Sequence, residues 1–411
     1  MSSPIRLMIY ESYVFEKFGG EVRTILYLLK YLDRSRFTPL LVLPHKVEAL
    51  NAEVNPDIRV EVIEPRQSLR AYGGALLKRG PLGRLRAVCD LILQSFDLNR
   101  FMRSRNIDAV YCCSLRAMLS IGLAARLCRR PVLFFVNGRL NNPVLDAMAF
   151  TLATRIVFQC GANRDDRYPV LRRIFRRKLG VVQSGVDLPI FRNLQTQSVS
   201  TESLGIDVTK VNIIVLGFLN PEKGVHLVIE ALARLSGNLA NVRLWIVGDQ
   251  LTDDFSNYRK HLESLVTQRG MADNVRFTGY RTDALRLLSA MDVLVHPSLT
   301  EGMPRVVLEA MALGKPVIAS RVGCSREVIR HGLNGLLVEP GDVEELAAAL
   351  DRLLEDESLR SSLGKAAAET IANEYVVEDK VFELEQMLAG MVRSGERKTA
   401  EGGNVRYRRR V

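Results

Sequence analysis

The stretch His296-Pro-Ser-Leu-Thr-Glu-Gly-Met-Pro-Arg-Val-Val-Leu-Glu-Ala-Met-Ala-Leu-Gly-Lys-Pro-Val-Ile-Ala-Ser320 decides the fold of this chain. The apolar run Val293–Val295 before it predicts a buried strand. A turn at Glu301 then leads into a helix with Pro304 in its first turn, where a missing N–H costs nothing. A second buried strand follows at Pro316–Ala319. This order puts a carboxylate and a helix N-terminus at the sheet edge where parallel α/β proteins bind ligands.

Strands and helices alternate on both sides of this stretch, which predicts an α/β chain with two parallel, doubly wound sheets facing a cleft. The predicted strands of the first half cover residues 5–10, 37–43, 58–63, 108–112, 131–136, 156–160 and 181–187. Those of the second half before His296 cover residues 212–216, 243–247, 275–277 and 293–295. The predicted parts are domains at residues 1–190 and 191–375, a helix at 376–392 packing back on the first domain, and a disordered basic tail at 393–411.

The composition is that of a globular protein large enough for two cores, with 411 residues, 47% hydrophobic and 25% charged. The apolar runs are too short to span a bilayer, and the N-terminus enters a strand instead of a signal peptide, so we expect a cytoplasmic protein. Its six cysteines have no C-x-x-C spacing. They predict reduced, mostly buried thiols, with neither a zinc site nor a disulfide framework.

The positive charge is concentrated in the first half of the chain. Residues 1–185 contain 30 Lys and Arg against 15 Asp and Glu, a net charge of +15, whereas residues 186–411 carry −4. A basic surface attracts phosphates of nucleic acids, lipid head groups or lipid diphosphates, and a merely solvated basic face is the alternative. Two stretches fit an anionic membrane surface, Leu171–Lys178 and the Arg/Lys region 78–86, so the inner face of the membrane is a further expectation.

Two glutamates in the opening stretch are the first candidates for chemistry. Paired carboxylates of a glycosidase lie about 5–9.5 Å apart. Glu301 and Glu309 are eight positions apart, so they would lie about 12 Å apart if the segment were helical. They are therefore better placed to bind hydroxyls at two points of an extended ligand than to act as a glycosidase pair. A helix-start Glu with a surface Glu is the structural alternative.

Lys223 and a pair of glycines are the candidates for binding an anion. Lys223 lies in the loop Gly217-Phe-Leu-Asn-Pro-Glu-Lys-Gly224, where its ammonium could neutralise a diphosphate and the charge that develops on it during transfer. Gly19-Gly20 precedes a helix, so its backbone N–H groups could approach a phosphate closely. Each pattern alone is as typical of an ordinary turn.

Together these motifs resemble the retaining nucleotide-sugar glycosyltransferases of family 4, the glycosyl transferases group 1, which have the GT-B fold. The resemblance is close over residues 181–350 and loose over 1–180. The stretches that carry it are Gly217-Phe-Leu-x-x-Glu-Lys-Gly224, Val247-Gly-Asp249, Phe277-Thr-Gly-Tyr280, Pro297-Ser298, Glu301-Gly-Met-Pro-Arg-Val-Val-Leu-Glu309, Gly314-Lys-Pro-Val-Ile-Ala-Ser320, Glu327 and Asn334-Gly335. The implied fold is two Rossmann-like domains facing an interdomain cleft.

The resemblance implies a role for each matching residue. Glu309 would bind the ribose hydroxyls, Glu301 the hydroxyls of the donor sugar, and Lys223 the diphosphate. The remaining implied donor contacts are Gly19, Gly20, Gly217, Gly279, Tyr280, Arg281, Gly302, Met303 and Arg305. The catalytic set would be Glu301, Lys223 and Asn137, with no metal and no cofactor. The donor would be UDP-, GDP- or ADP-linked, and the acceptor a glycan or a lipid-linked glycan of cell-surface polysaccharide or glycolipid synthesis.

Three positions depart from the family pattern. Phe218 stands where an Arg is frequent, and Asn137 and Cys113 stand where His is frequent. Asn137 can still form hydrogen bonds but cannot become cationic. The alternative function is therefore a catalytically weak nucleotide-binding protein that supports an active partner.

Two other function classes are disfavoured by the sequence. A nucleic-acid-binding protein would rest on the basic excess alone, without aromatic interleaving or a reader motif. An NAD-linked oxidoreductase would need G-x-G-x-x-G after the first strand of a domain, which neither half has.

Overall fold

The computed structural model describes residues 3–12, 20–46, 55–70, 80–137, 140, 142–165, 169–196, 201–235, 239–250 and 256–397. The chain forms two compact units. Unit 1 comprises Met1–Gln159, Arg164–Val182 and Lys380–Val411, and unit 2 comprises Cys160–Asn163 and Gln183–Asp379. Apart from the short segment Cys160–Asn163, the chain enters unit 2 at Gln183. The sequence predicts the domain boundary at residue 190.

Unit 1 is built on a seven-stranded parallel sheet in the order β3-β2-β1-β4-β5-β6-β7. Its strands are β1 (Ile5–Tyr10), β2 (Phe37–Leu43), β3 (Arg59–Val62), β4 (Ala109–Cys112), β5 (Val132–Val136), β6 (Arg155–Phe158) and β7 (Leu179–Val181). The central strands are continuous apolar runs because helices cover both of their faces. The sequence predicts the last strand of this half at residues 181–187, and this prediction is wrong. The strand β7 ends at Val181, and residues 182–185 are irregular.

The helices of unit 1 cover its sheet. They are α1 (Gly20–Tyr31), α2 (Pro81–Ser104), α3 (Leu115–Leu127) and α4 (Pro143–Leu152), and α6 (Pro169–Phe175) after them. The short helix between, α5 (Gly161–Asp165), begins in the segment Cys160–Asn163 of unit 2. One core joins Met8 and Phe134 of the strands to Leu98 of α2, Ile121 of α3 and Phe150 of α4. Leu171 and Phe175 of α6 pack against the same core. These four helices, α2, α3, α4 and α6, therefore cover the same face of the sheet.

Unit 2 contains a six-stranded parallel sheet in the order β10-β9-β8-β11-β12-β13. Its strands are β8 (Val211–Leu216), β9 (Val242–Val247), β10 (Val275–Gly279), β11 (Val293–His296), β12 (Val317–Ser320) and β13 (Leu336–Val338). Its helices are α7 (Leu188–Thr196), α8 (Thr201–Leu204), α9 (Val225–Ala233), α10 (Ser256–Gln268), α11 (Ala284–Ser289), α12 (Arg305–Ala312), α13 (Ser325–Val328), α14 (Val343–Glu355) and α15 (Glu357–Glu374). The two parallel sheets with flanking helices are the predicted α/β fold, with two Rossmann-like units.

The last helix, α16 (Val377–Arg397), carries the chain from unit 2 into unit 1. The carboxylate of Glu385 is 3% exposed, accepts a hydrogen bond from the backbone N–H of Asp33 (2.6 Å) and pairs with Arg36 (3.1 Å). The helix continues to Arg397, beyond the predicted end at residue 392. Residues 398–411 lie outside the described part of the chain.

The cysteines differ from their predicted state. Cys160 and Cys324, both fully buried and 164 residues apart in sequence, form a disulfide within unit 2. The prediction of reduced thiols is wrong for this pair, because a spacing of this length carries no signal in the sequence. Cys112 and Cys113 are buried and lie outside this disulfide, and Cys89 is exposed.

Candidate functional site

The candidate site lies where the strand order of unit 2 reverses. From β8 the chain runs outward through β9 and β10, then returns to place β11 on the other side of β8. Ligands of open parallel sheets bind beyond the carboxyl ends of the strands at such a reversal. The loops that leave β8 and β11 carry Lys223 and Glu301, so the structure brings these two predicted residues together.

The loop after β8 positions Lys223. Asn220 caps the short 3₁₀ helix Pro221–Lys223, its side-chain oxygen accepting from the backbone N–H of Lys223 at 3.0 Å. Gly224 then turns the chain with φ +66°, and a Cβ there would collide with the carbonyl oxygen of Pro297. Only glycine fits this close approach between the two loops.

Glu301 is the centre of a buried polar cluster. Its carboxylate forms an ion pair with the Lys223 ammonium. Its Oε1 lies 3.0 Å from Nε2 of His296 and accepts from the Ser298 hydroxyl at 3.1 Å. Ser298 and His296 also contact each other, at 3.1 Å. The three partners come from the end of β11 and from the loops after β8 and β11.

Burial and charge act in opposite directions on Glu301. Desolvation by burial raises its pKa, but the hydrogen bond and charge of His296 and the charge of Lys223 together hold that pKa well below its ordinary value. The Lys223 side chain is 29% exposed and that of Glu301 is 10% exposed. The ammonium therefore reaches solvent, while the carboxylate is held ionised behind it.

Three glycines line the carboxyl edge of the sheet beside Lys223. The backbone N–H of Gly217 donates to Val247 (3.0 Å), and that of Gly248 donates to Gly279 (2.9 Å). Gly248 has φ +131°, and a Cβ on it would overlap the carbonyl of Gly217. The edge is therefore bare backbone that a ligand could approach closely.

Two further predicted contacts follow β10. Tyr280 is 47% exposed. Arg281 pairs with Asp283 at 2.5 Å, and this hydrogen-bonded partner raises the pKa of the guanidinium. The Arg281 side chain is thus tied to its own loop.

The loop and helix after Glu301 carry the other predicted residues. Helix α12 begins at Arg305, with Pro304 as its N-cap. Met303 and Glu309 are buried, at 8% exposure each. The loop before α13 packs against the loop that carries Glu301, and the backbone N–H of Cys324 donates to the carbonyl of Gly302 at 3.1 Å. A Cβ on Gly323 would collide with the carbonyl oxygens of Glu301 and Gly302.

The disulfide anchors this supporting loop. Cys324 is bonded to Cys160. The two residues after Cys160 donate their backbone N–H groups to the carboxylate of Glu327 in α13, Gly161 at 3.3 Å and Ala162 at 2.6 Å. The sequence singles out Glu327 by resemblance alone, and the structure gives it a backbone-binding position.

Two residues of the site were not predicted. His296 and Ser298 have no role in the sequence analysis, although both lie in the stretch that opens it. The signal was their place directly after a buried strand, ahead of Glu301. Their contact with the carboxylate depends on the fold of the turn, which spacing alone does not give.

The predicted residues of the first half belong to unit 1. Asn137 follows β5, and its side-chain oxygen accepts from Gln159 at 2.7 Å. Gly20 is the first residue of α1, and Gly19 lies outside the described residues. Cys113 follows β4, with its sulfur 3.4 Å from the buried Glu11 carboxylate.

Unit 1 also has a cavity at the carboxyl ends of its first three strands. Its volume is about 300 Å³. It is lined by Ser12, Pro44, His45, Glu64, Pro65 and Arg70. Ser12 is 5% exposed, and its hydroxyl has no hydrogen-bond partner among the described residues.

The described residues contain neither a membrane-spanning helix nor a cluster of metal ligands. None of the helices there is long and apolar enough to cross a membrane. In the same residues, no group of three or more His, Cys, Asp and Glu side chains is arranged to hold a metal ion.

Residues 197–370 match the model of the family described as "Glycosyl transferases group 1". The lipopolysaccharide core biosynthesis glycosyltransferase LpsE of Rhizobium meliloti (strain 1021) is 36% identical over 174 residues, 42% of this chain and 48% of that protein. An Escherichia coli UDP-Gal:alpha-D-GlcNAc-diphosphoundecaprenol alpha-1,3-galactosyltransferase is 26% identical over 72% of this chain and 78% of its own length. The chain spans about half the length of the first curated relatives it matches.

The fold is that of solved GT-B proteins. The crystal structure of Anabaena Alr3699/HepE in complex with UDP and glucose superposes with a TM-score of 0.76 at 23% identity, covering 94% of this chain and all of that one. A glycosyltransferase from Rickettsia africae superposes with a TM-score of 0.78 at 19% identity, covering 95% of this chain and 99% of that one. At these identities the likeness establishes the fold.

Proposed function

Because residues 197–370 match the model of the glycosyl transferases group 1 family, we propose that this chain is a retaining glycosyltransferase of family 4 that needs no metal. It transfers a sugar from a nucleotide-sugar donor to a glycan or lipid-linked acceptor in cell-surface polysaccharide or glycolipid synthesis. The observation that carries the proposal is the ion pair of Lys223 with Glu301 at the strand reversal of a unit with this family's sequence.

The cluster suits a donor whose sugar is linked to a diphosphate. An ammonium has three N–H donors, so Lys223 can hold Glu301 and a phosphate oxygen at once. The ionised Glu301 can accept hydrogen bonds from sugar hydroxyls, and His296 and Ser298 fix its orientation. Glu309 is the proposed contact for the ribose. The bare backbone at Gly279 is the proposed contact for the base.

The proposed transfer breaks the bond between the anomeric carbon and the oxygen of the distal phosphate. The acceptor hydroxyl bonds to the same face of that carbon, and its proton passes to the departing phosphate oxygen. Negative charge grows on the diphosphate in this step, so a cation held in place before the reaction lowers the barrier. Lys223 would supply that charge without a metal ion.

The acceptor is proposed to bind in unit 1. The cavity beside Ser12 offers one buried hydroxyl, an imidazole from His45, the Glu64–Arg70 ion pair and two prolines. Hydroxyl and charged groups beside apolar ring faces suit a sugar. The proposed contacts of Gly19, Gly20 and Asn137 with the donor stay predictions.

The test is donor binding and turnover by the purified chain. UDP, GDP and ADP and their sugars are screened by thermal shift, since a nucleotide that binds the folded form raises its melting temperature. Structural neighbours were crystallised with UDP and UDP-glucose, so UDP is the first choice. Sugar release and transfer are then followed with labelled donor and candidate acceptors.

Variants assign the residues. We expect Lys223→Ala and Glu301→Gln each to lower turnover by about a hundredfold or more, since each removes a charge next to the reacting bond. The matched controls are Lys260→Ala and Glu369→Gln, two exposed residues of unit 2 on α10 and α15. Unchanged turnover in the first pair would refute the roles. Nucleotide binding without any transfer would favour the supporting-partner alternative.

A further inference from the structure

Helix α2 exposes a long apolar stripe to solvent. The exposed residues are Leu82 (83%), Leu85 (61%), Val88 (53%), Ile92 (43%), Leu93 (46%) and Phe96 (57%). Their spacing of three or four residues places most of them on one side of the helix. The helix has 24 residues and is about 36 Å long at 1.5 Å per residue. A solvent-exposed apolar stripe of this length is typical of a binding surface.

The stripe is not the side of α2 that the fold uses. Leu98 and Met102 are buried in the core of unit 1. Gln94 and Ser95 are buried as well, and the side-chain oxygen of Gln94 accepts from the backbone N–H of Arg66 at 3.1 Å. The Ser95 hydroxyl lies 3.4 Å from the carbonyl of Ser120. One side of the helix thus packs against the rest of unit 1, and the other side is apolar. Packing among the described residues does not explain why this outer side is apolar.

Three neighbouring helices extend the same surface. The helices α3, α4 and α6 cover the same face of the sheet as α2. Their exposed apolar residues are Leu123 and Leu127 of α3, Val144 and Met148 of α4, and Val170 and Ile174 of α6. We call the outer side of these four helices the helical face of unit 1. Most of the exposed large apolar side chains of the described residues lie on it.

The charge of this region selects the partner. Residues 80–180 contain 18 Arg and Lys against 6 Asp and Glu, a net charge of +12. The described acidic side chains there are largely engaged: Asp97 pairs with Arg66, Asp108 with Arg130 and Asp165 with Arg164. Two of the arginines, Arg100 of α2 and Arg173 of α6, are exposed. Cations therefore outnumber acids around the apolar stripe, although Asp97 of α2 has a side chain that is 55% exposed.

We propose that the helical face of unit 1 binds the surface of an anionic lipid bilayer. The apolar side chains enter the boundary between head groups and acyl chains, and the arginines contact lipid phosphates. A second copy of this chain fits less well, because a two-fold contact through this face would set arginines against arginines. The surface belongs to unit 1, whereas Lys223 and Glu301 belong to unit 2, so the proposal does not depend on the transfer reaction.

The test is flotation of the full chain with vesicles of phosphatidylcholine, with and without phosphatidylglycerol. We expect binding to the anionic vesicles only, weakening steeply with salt. The variant L85Q/I92Q/F96Q should bind at least about a hundredfold more weakly, because each inserted side chain contributes on the order of tenfold in affinity. The control V208Q/L333Q changes two equally exposed apolar residues of unit 2 and should bind like the wild type.

A second variant tests the charge independently. R100Q/R173Q should weaken binding to anionic vesicles by about thirtyfold and reduce the salt dependence, since each Arg near such a surface contributes about fivefold in affinity. All variants should keep the thermal shift with nucleotide, which separates loss of membrane binding from failure of the proposed function. Equal binding to both vesicle types would overturn the proposal. So would unchanged binding of either helical-face variant, or a stable dimer that L85Q/I92Q/F96Q dissociates.

Discussion

At the scale of single residues, Glu301 shows how one buried carboxylate depends on its neighbours. Its partners are the Lys223 ammonium, the His296 imidazole and the Ser298 hydroxyl. Taking a carboxylate out of water costs several kcal/mol, which such partners must offset. Removing one of them therefore costs more than the contact contributes, because the charge stays buried with fewer donors.

His296→Leu tests this dependence. The substitution removes one partner of Glu301 and keeps an apolar side chain at the end of β11. We expect the free energy of unfolding to fall by about 1–3 kcal/mol, and nucleotide-sugar affinity to fall with it, since the carboxylate is held less firmly. Urea unfolding and thermal shift measure the two effects. His261→Leu changes an exposed histidine of the same unit and should leave both unchanged. An equal loss in both variants would argue against the cluster.

The pKa of Glu301 predicts a pH dependence of stability. Its folded pKa is lowered, so the folded state binds the proton less readily than the unfolded chain, whose pKa is about 4.3. The stabilisation is then fully present above about pH 5 and decreases as the pH falls through 4.3 toward the folded pKa. We expect the stability difference between the wild type and Glu301→Gln to shrink between about pH 6 and pH 3 in urea titrations. A constant difference over that range would contradict the pairing.

At the scale of elements, the loop after β8 works as a rigid support for Lys223. Asn220 caps the 3₁₀ turn, and the N–H of Leu299 donates to the carbonyl of Glu222 at 2.8 Å. Gly224 fits under Pro297 in a conformation that L-residues rarely adopt. The position of the ammonium is therefore set by the packing of two loops at the strand reversal.

Gly224→Ala tests whether this support matters for binding. Two costs add, the left-handed φ and the collision with the Pro297 carbonyl. Gly270→Ala isolates the first, because Gly270 has the same φ of +66° and no atom within 4 Å of its Cβ position. We expect Gly270→Ala to cost about 1 kcal/mol in stability and to leave nucleotide binding intact. Gly224→Ala should cost clearly more and weaken binding. Equal effects of the two would show that the loop contact is dispensable.

The elements also show what could be predicted from the sequence. β1 and β2 have the predicted bounds because buried parallel strands are unbroken apolar runs between polar turns. Proximity between distant segments was not predictable: Cys160 and Cys324 meet only after folding. The outer stripe of α2 was missed for a related reason. Periodicity shows that a helix has apolar positions, but not which of them find a partner inside the chain.

At the scale of the whole molecule, the C-terminal helix ties the chain ends together. The chain leaves unit 1 after Val182, forms unit 2, and re-enters unit 1 at Lys380. Helix α16 buries Leu384, Leu388 and Met391 at 4% exposure or less, beside the Glu385 contacts with the turn before β2. Unit 1 is thus completed by residues that follow unit 2 in the sequence, whereas unit 2 is complete at Asp379.

Truncation after Asp379 should therefore affect the two units unequally. It removes the buried residues of α16 from unit 1, a loss of about 5 kcal/mol or more against a typical total of about 5–15 kcal/mol. We expect limited proteolysis to degrade unit 1 of the truncated chain and to leave a fragment of unit 2 whose melting temperature still rises with nucleotide. Sugar transfer to an acceptor should be lost. Truncation after Arg397 keeps all of α16 and should behave like the full chain. A truncated chain that resists proteolysis throughout would show that unit 1 is stable without its last helix, and loss of nucleotide binding would show that unit 2 depends on it.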